Sequence, residues 1–408
     1  MLDVPEALAR CAQVERHVRA WDYLTESSAL RPSPVGTSKL AGKAFGVKDV
    51  IDVAGMPTRS GSSATSSDPA QCDATCVLQL REAGAVPIGK TVTAEFAYSS
   101  PGPTRNPHNV GHTPGGSSSG SAAAVAAGMV SFALGTQTGG SMIRPAAFCG
   151  VVGFKPTFGR VHRHGMDVLC ESLDTIGWFS QDVAQSIDVA SVLLPASIDK
   201  QALPGGSGHA TPRVAVLDCR AIAQVSADAG ATFDTCVSRL TEQGAIIVRP
   251  TVDDDLQALL DIHAQIMHAE LARALLPRLR TQGEHLSPAL RTVIELGLKV
   301  SYSEYVRLQA TRSRLSTQWR TFFETTDIIV TPSASGTAPE GLASTGSSTL
   351  NRVWSLLGWP CMHLPTATSA QGLPMGVQWI AQPDRDHALL QWASVLHPLI
   401  DSRLACST

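Results

Sequence analysis

Three residues of the 408-residue chain stand where an acyl group could be moved without a histidine: Lys48, Ser117 and Ser141. Lys48 lies inside the apolar run Ala44-Phe45-Gly46-Val47-Lys48-Asp49-Val50, Ser117 follows Gly115-Gly116, and Ser141 follows Gly139-Gly140. A serine after two glycines can sit on a tight turn ringed by backbone N–H donors, which is what an oxyanion hole requires. Its hydroxyl is a poor nucleophile at neutral pH and needs an adjacent base. A lysine serves once desolvation has drawn its pKa from about 10.4 to about 7–8, a shift worth roughly 4 kcal/mol. Singly, each residue has a blander reading: Gly-Gly-Ser is commonly a loop, and a lysine in an apolar run commonly extends its head to water.

Two other chemistries compete. Gly84-Ala85-Val86-Pro87-Ile88-Gly89-Lys90-Thr91 matches the phosphate-binding pattern G-x4-G-K-[ST]. That loop needs a strand before it and a helix after it, whereas here a helical stretch precedes and the middle residues are β-prone. A strand is the better reading. For metal, His162-Arg163-His164 and Cys72-x3-Cys76 lack a second ligand pair at zinc spacing, and His263 and His268 are five apart, off one helical face. No metal and no cofactor is expected.

The elements that must position the two serines can be read around them. Residues 5–30 read as a helical lead-in, 32–42 as a loop, 44–50 as a buried strand, 73–83 as a helix and 85–88 as a strand. The window 99–121 holds 6 Ser, 5 Gly and 4 Pro, yet it runs straight into the helix former Ala122–Ala127 rather than ending as a linker. Phe132–Gly135 reads as a strand leading to the second glycine turn, Thr138–Ser141. Two such turns about 20 residues apart suggest a site built from backbone N–H groups. Further on, Pro204–Gly208 reads as a linker, 213–217 and 245–249 as strands, 226–243 and 254–325 as helical, 328–330 as a strand, and 386–398 as a helix. The alternation points to an α/β fold.

Composition removes several classes. Charged residues are 16 % and apolar residues 43 %, so the chain is not intrinsically disordered. A net charge of −3 offers no basic excess to neutralise phosphates. No run of about 18 apolar residues marks a membrane span. The N-terminal Met1–Glu6 has neither a basic nor an apolar leader, and nine scattered Cys suit a reduced, cytoplasmic protein.

With these residues in view, the chain resembles the amidase signature enzymes. The resemblance rests on Gly46-Val47-Lys48-Asp49, on the block Gly115–Gly128, on Ala133–Ser141 with Arg144-Pro145-Ala146, and on Gly150–Thr157. Glu95-Phe96 after the Gly-Lys-Thr run, Ser172-Leu173-Asp174-Thr175 and Gly372–Gln378 add to it. It is dense over 40–185, loose over 325–398 and absent over 200–320. It implies one amidase domain, 1–408, with a large mixed β-sheet core covered by helices and a variable helical substrate-side region at about 200–325. It implies a Ser–cisSer–Lys triad: Ser141 as nucleophile, Ser117 as proton relay after a cis Gly116–Ser117 peptide, and Lys48 as base. Thr138, Gly139, Gly140 and Ser141 would supply oxyanion-hole N–H groups, and Arg144 and Thr136 substrate contacts.

The chain departs from the family pattern at three positions. Gln137 stands where an aspartate is usual, Ser119 where a glycine is common, and Arg144 comes three rather than two residues after Ser141. On a helix beginning at Ser141, three residues is nearly one turn, so Arg144 would share the nucleophile's face and suit a substrate carboxylate. Its rival role is a structural arginine paired with Asp174. Ser-x-x-Arg-Pro and Gly-Thr-Gln-Thr resemble the malonamidase branch. The leading expectation is therefore hydrolysis of a small carboxylate-bearing, malonamate-like amide to acid and ammonia. The partner is then a small-molecule amide, with no nucleic acid, no membrane and a homodimer left as an option. The alternatives are a broad amidase for neutral amides or carbamoyl compounds, with Gln265 and His268 as pocket contacts, and a glutaminase-like subunit of a tRNA amidotransferase.

Overall fold

The computed structural model describes residues 1–26, 30, 38–98, 100–195 and 212–403. Most of the expected loop, residues 32–37, and the expected linker Pro204–Gly208 lie outside the described residues. Helix α1 (Val4–Val18) opens with Asp3 accepting from the Glu6 N–H, while Glu6 caps back and Pro5 fills the first turn. The expected lead-in helix to residue 30 stops early. Arg19 turns into the left-handed region (φ 56°), and the Glu15 carboxylate accepts the N–H groups of Ala20 and Trp21. The apolar rhythm that continues through Trp21 belongs instead to strand β1 (Trp21–Leu24), an edge strand whose Trp21 pairs with Thr91.

The next elements are β2 (Ala44–Lys48), α2 (Thr75–Glu82), β3 (Val86–Thr91), α3 (Ser119–Ala126), β4 (Phe132–Gln137), α4 (Ile143–Cys149), β5 (Val152–Lys155), β6 (Thr175–Ser180) and α5 (Val183–Leu193). After them come β7 (Arg213–Val216), α6 (Ala227–Glu242), β8 (Ile246–Val248), α7 (Asp253–Gln282), α8 (Pro288–Leu298), α9 (Tyr302–Arg320) and α10 (Phe322–Thr325). The chain closes with β9 (Ile328–Pro332), α11 (Thr349–Leu357), β10 (Cys361–Thr368), β11 (Pro374–Ile380) and α12 (Asp386–Ile400). The strands form one 11-stranded mixed sheet in the order β1-β3-β2-β4-β6-β5-β10-β11-β9-β7-β8. The α/β expectation with a large mixed sheet is what the structure shows.

Strand alternation sorts the core onto two faces. Phe45, Val47, Phe132, Leu134, Phe154, Trp178, Val330 and Trp379 point to a face covered by α2, α5, α6 and α12. On the other face, Ala44, Ala133 and Phe179 pack with α1, α3 and α4. Ala215, Ile329, Cys361 and Ile380 meet the α7, α8, α9 and α11 cluster. With both faces covered, central strands are buried throughout; β2, β3 and β4 expose no residue.

The Gly84–Thr91 run is indeed a strand end. Lys90 is fully buried, and its Nζ lies 3.0 Å from Asp49 and donates to the Pro57 carbonyl (2.9 Å) and Thr58 Oγ1 (2.7 Å). Removing one partner strands the other charge. Lys90→Met is therefore expected to lower unfolding free energy by about 3–5 kcal/mol. Adding Asp49→Asn should recover part of that, which a double-mutant cycle in urea would read.

Candidate active site

Strands β2 and β4 are parallel neighbours, with Phe45 opposite Phe132 and Val47 opposite Leu134. Lys48 therefore ends β2 beside the end of β4, whose chain runs on through Gln137 into the Thr138–Ser141 turn. The Lys48 side chain is fully buried, and its Nζ donates to Ser117 Oγ (2.8 Å) and to Thr136 Oγ1 (2.7 Å). Ser118 ties the first glycine turn to the same strand, its hydroxyl reaching the Thr136 carbonyl (3.1 Å) and accepting the Thr136 N–H (3.2 Å). The Gly116–Ser117 peptide is cis. Burial draws the Lys48 pKa down to about 7, with Asp174 raising it and Arg144 lowering it further. A lysine in that range holds both a usable lone pair and a deliverable proton near neutrality.

Ser141 lies at the wall of a cavity of about 270 Å³. Gly139, Gly140 and Thr138 line it beside Ser141, whereas Lys48, Ser117 and Thr136 do not reach it. Ser141 thus borders the cavity, while the hydrogen-bonded Lys48–Ser117 pair is fully buried and outside its lining. Thr136, expected to touch substrate, instead supplies an acceptor to Lys48. Phe96, Leu169, Met267 and Leu271 form an apolar wall, and Ala343–Ser348 a serine-rich lip. Met267 and Leu271 are four apart on α7 and share its cavity face. Gln265 is turned away and exposed, and His268 is half-buried outside the lining.

The helix after Ser141 begins at Ile143, not at Ser141 itself. Gln137 sets that start: its Oε1 accepts the N–H groups of Met142 (2.8 Å) and Ile143 (3.1 Å). Its Nε2 donates to Ser355 Oγ (2.9 Å), which donates to the Gly139 carbonyl (2.7 Å). Asp174 accepts from Thr138 Oγ1 (2.5 Å) and from the N–H groups of Leu169 and Cys170, and it does not pair with Arg144. Arg144 lines the cavity, but its donors go to the Gly116 carbonyl (Nε 3.2 Å, a terminal nitrogen 2.6 Å) and the Gly346 carbonyl (2.5 Å). Burial and the nearby Arg352 cation hold its pKa down to about 9. Arg144→Lys is expected to slow neutral and carboxylated amides alike, by roughly 10- to 100-fold, because it loosens the turn that carries Ser117. Steady-state rates on propionamide and on a carboxylated amide would read this.

Residues that sequence reasoning missed come from distant helices. From α7, His263 is fully buried, with Nε2 2.9 Å from the Thr138 carbonyl; burial first, then neighbouring cations, hold its pKa down to about 3. From α11, Ser355 and Asn351 back the turn and Arg352 enters the cavity, its Nε donating to Ser348 Oγ (2.9 Å). Among the described residues no group of three or more His, Cys, Asp or Glu could hold a metal ion. None of their helices is long and apolar enough to cross a membrane.

A mixed sheet wrapped by helices, with a glycine-lined cavity at Ser141 and a buried Lys48–Ser117 pair, is the setting in which the family match gives a hydrolase acting on amides. The amidase family model matches residues 4–390, and the chain belongs to that family, the amidase signature enzymes. It is 33 % identical to a glutamyl-tRNA(Gln) amidotransferase subunit of Roseiflexus castenholzii, over 96 % of this chain and 90 % of that one. Among solved structures it resembles an amidase (TM-score 0.85, 27 % identity, 98 % of this chain and 95 % of that one). It also resembles the corresponding glutamyl-tRNA(Gln) amidotransferase subunit of Thermotoga maritima (TM-score 0.82, 27 % identity, 96 % and 89 %).

These relatives correct two expectations. The malonamate-like substrate rested on short strings around Ser141 and on a free Arg144. Near full-length likeness runs instead to amidotransferase subunits, and the Arg144 donors are occupied by backbone carbonyls. The expectation of a small-molecule partner with no nucleic acid is overturned by the same relatives, whose names specify a charged tRNA. A net charge of −3 excludes only extensive direct neutralisation of phosphates, not a place beside proteins that bind them.

Proposed function

We propose that the chain is the amide-hydrolysing subunit of an amidotransferase of the glutamyl-tRNA(Gln) kind, taking glutamine as nitrogen donor. The observation that carries this reading is the likeness to such a subunit over almost the whole of both chains. A subunit of this kind can supply ammonia without itself gripping nucleic acid, which accommodates the near-neutral charge. Residues 1–408 act as one amidase unit in the cytoplasm, and no malonamidase-type specificity is needed.

In this reading Lys48, neutral at rest, takes the Ser117 proton as Ser117 takes that of Ser141. The Ser141 oxygen adds to the amide carbon, and N–H groups of Thr138, Gly139, Gly140 and Ser141 hold the oxyanion. The proton returns through Ser117 to the leaving nitrogen, ammonia departs, and water releases the acid from Ser141. The test is ammonia release from glutamine by the chain alone and with its co-expressed partner proteins, followed by conversion of glutamyl-tRNA(Gln) with ATP. Failure on glutamine in both states, with turnover of propionamide or benzamide, would sink it. The apolar wall of Phe96, Leu169, Met267 and Leu271 favours that second reading, an amidase of neutral amides.

A further inference from the structure

Each peptide unit is planar, and in the trans form its C=O and N–H point in opposite directions. A side chain that takes hold of a carbonyl therefore aims the N–H of the following residue. In the Thr138–Ser141 turn two consecutive carbonyls are held this way. His263 Nε2 lies 2.9 Å from the Thr138 oxygen, which fixes the unit carrying the Gly139 N–H. Ser355 Oγ donates to the Gly139 oxygen at 2.7 Å, which fixes the unit carrying the Gly140 N–H. Neither glycine has a side chain to resist rotation of these planes.

We infer that His263 and Ser355 are positioning residues that aim the Gly139 and Gly140 N–H groups at the oxyanion formed on Ser141. This rests on the reading of Ser141 as nucleophile. A carbonyl only accepts, so the hydrogen of the neutral imidazole sits on Nε2 and the lone pair on Nδ1. That Nδ1 is buried with no partner among the described residues. A wholly apolar side chain would fill the space without an unpaired Nδ1 but would leave the Thr138 carbonyl without its donor, so what the histidine adds is the hold on that carbonyl. Ser355 is held in its turn by Gln137 Nε2 (2.9 Å), whose Oε1 receives the N–H groups of Met142 and Ile143 just after the nucleophile. The turn is thus held from both α7 and α11. Neither side chain is a catalytic residue, since both act through backbone.

His263→Phe, His263→Gln and Ser355→Ala would be compared with wild type on whichever of glutamine and propionamide is hydrolysed. Binding of propylboronic acid, which forms a tetrahedral adduct on the serine, would be set beside that of butyrate, which does not. The expected result for His263→Phe and Ser355→Ala is a kcat loss of about 10- to 100-fold with KM nearly unchanged, less than the cost of deleting a donor outright. Boronate affinity should fall by a matching factor and butyrate affinity should hold. His263→Gln, which keeps an N–H donor, should recover most of kcat. Unchanged kcat in Ser355→Ala and His263→Phe, or equal weakening of boronate and butyrate, would overturn the inference. Boronate binding that survives Ser141→Ala would instead remove the nucleophile reading on which it rests.

Discussion

Ser141→Ala is expected to lower kcat for amide hydrolysis by on the order of 10⁵- to 10⁶-fold while leaving the fold intact, as for other serine nucleophiles acting in a triad. The loss is large because the remaining groups act through that oxygen. Ser117 and Lys48 are buried outside the cavity lining, so in the proposed mechanism they reach a substrate carbonyl only through that oxygen. Substrate binding should persist, since the Ser141 hydroxyl is a small part of a wall made by Phe96, Leu169, Met267, Leu271 and Arg352. A fluorophosphonate probe should label wild type once per chain, at Ser141, and leave the variant unlabelled. Ser117→Ala should cost less, about 10²- to 10⁴-fold, because it interrupts proton transfer and leaves the nucleophile in place. Turnover of Ser141→Ala within tenfold of wild type would place the chemistry elsewhere.

Lys48 carries the second large effect, and it shows in pH as well as in mutation. With its pKa drawn down to about 7 by burial, the base is protonated and idle below that value and neutral above it. The kcat/KM profile should therefore rise about tenfold per pH unit on the acid side and level off above about 7. Lys48→Met should lower kcat/KM by at least about 10⁴-fold and abolish the limb. The direction of a smaller shift can be fixed in advance. The Asp174 carboxylate raises the Lys48 pKa, so Asp174→Asn should move the limb to lower pH. A limb that stays put in Asp174→Asn, or that survives in Lys48→Met, would assign it to another group. The same depressed pKa has a thermodynamic side. Between about 7 and 10.5 the unfolded chain binds a proton at this lysine that the folded chain does not. Its contribution to stability therefore rises with pH across that window and is lost as pH falls through it.

The parts of the site that follow one another in sequence were legible. Lys48 in an apolar run and two Gly-Gly-Ser turns are local patterns; strand pairing sets Lys48 beside β4, and hydrogen bonds to Lys48 and Thr136 tie the Ser117 turn to both. The apparent phosphate loop at Gly84–Thr91 could be set aside because its residues read as a strand, which they form. His263, Ser355 and Arg352 were not legible. Each is a single polar letter on a helix more than a hundred residues from the turn it serves, and nothing local distinguishes it from a solvated or core-satisfied side chain. In sequence Gln137 is only a departure from the family pattern; its role as a cap depends on where Met142 and Ile143 fall in space. Two errors had physical causes. Trp21 fits a helical stripe and an edge strand equally well, and the Glu15 carboxylate decides between them by holding the next two N–H groups. A neutral overall charge speaks to direct contact with phosphate, not to membership of an assembly that handles RNA.

Helix α7 bears on how the specificity of this enzyme could be re-engineered. Met267 and Leu271 invite exchange, because they face the cavity from a helix outside the sheet that carries the lysine and the glycine turns. Grafting residues 253–320 from a donor enzyme would nonetheless carry away His263, one turn before Met267 and hydrogen-bonded to Thr138. A transplant chosen for its pocket alone is expected to bind the new amide and turn it over slowly. One that preserves an N–H donor at position 263 should keep its rate, so recognition and turnover in this scaffold are inherited together through a single helix.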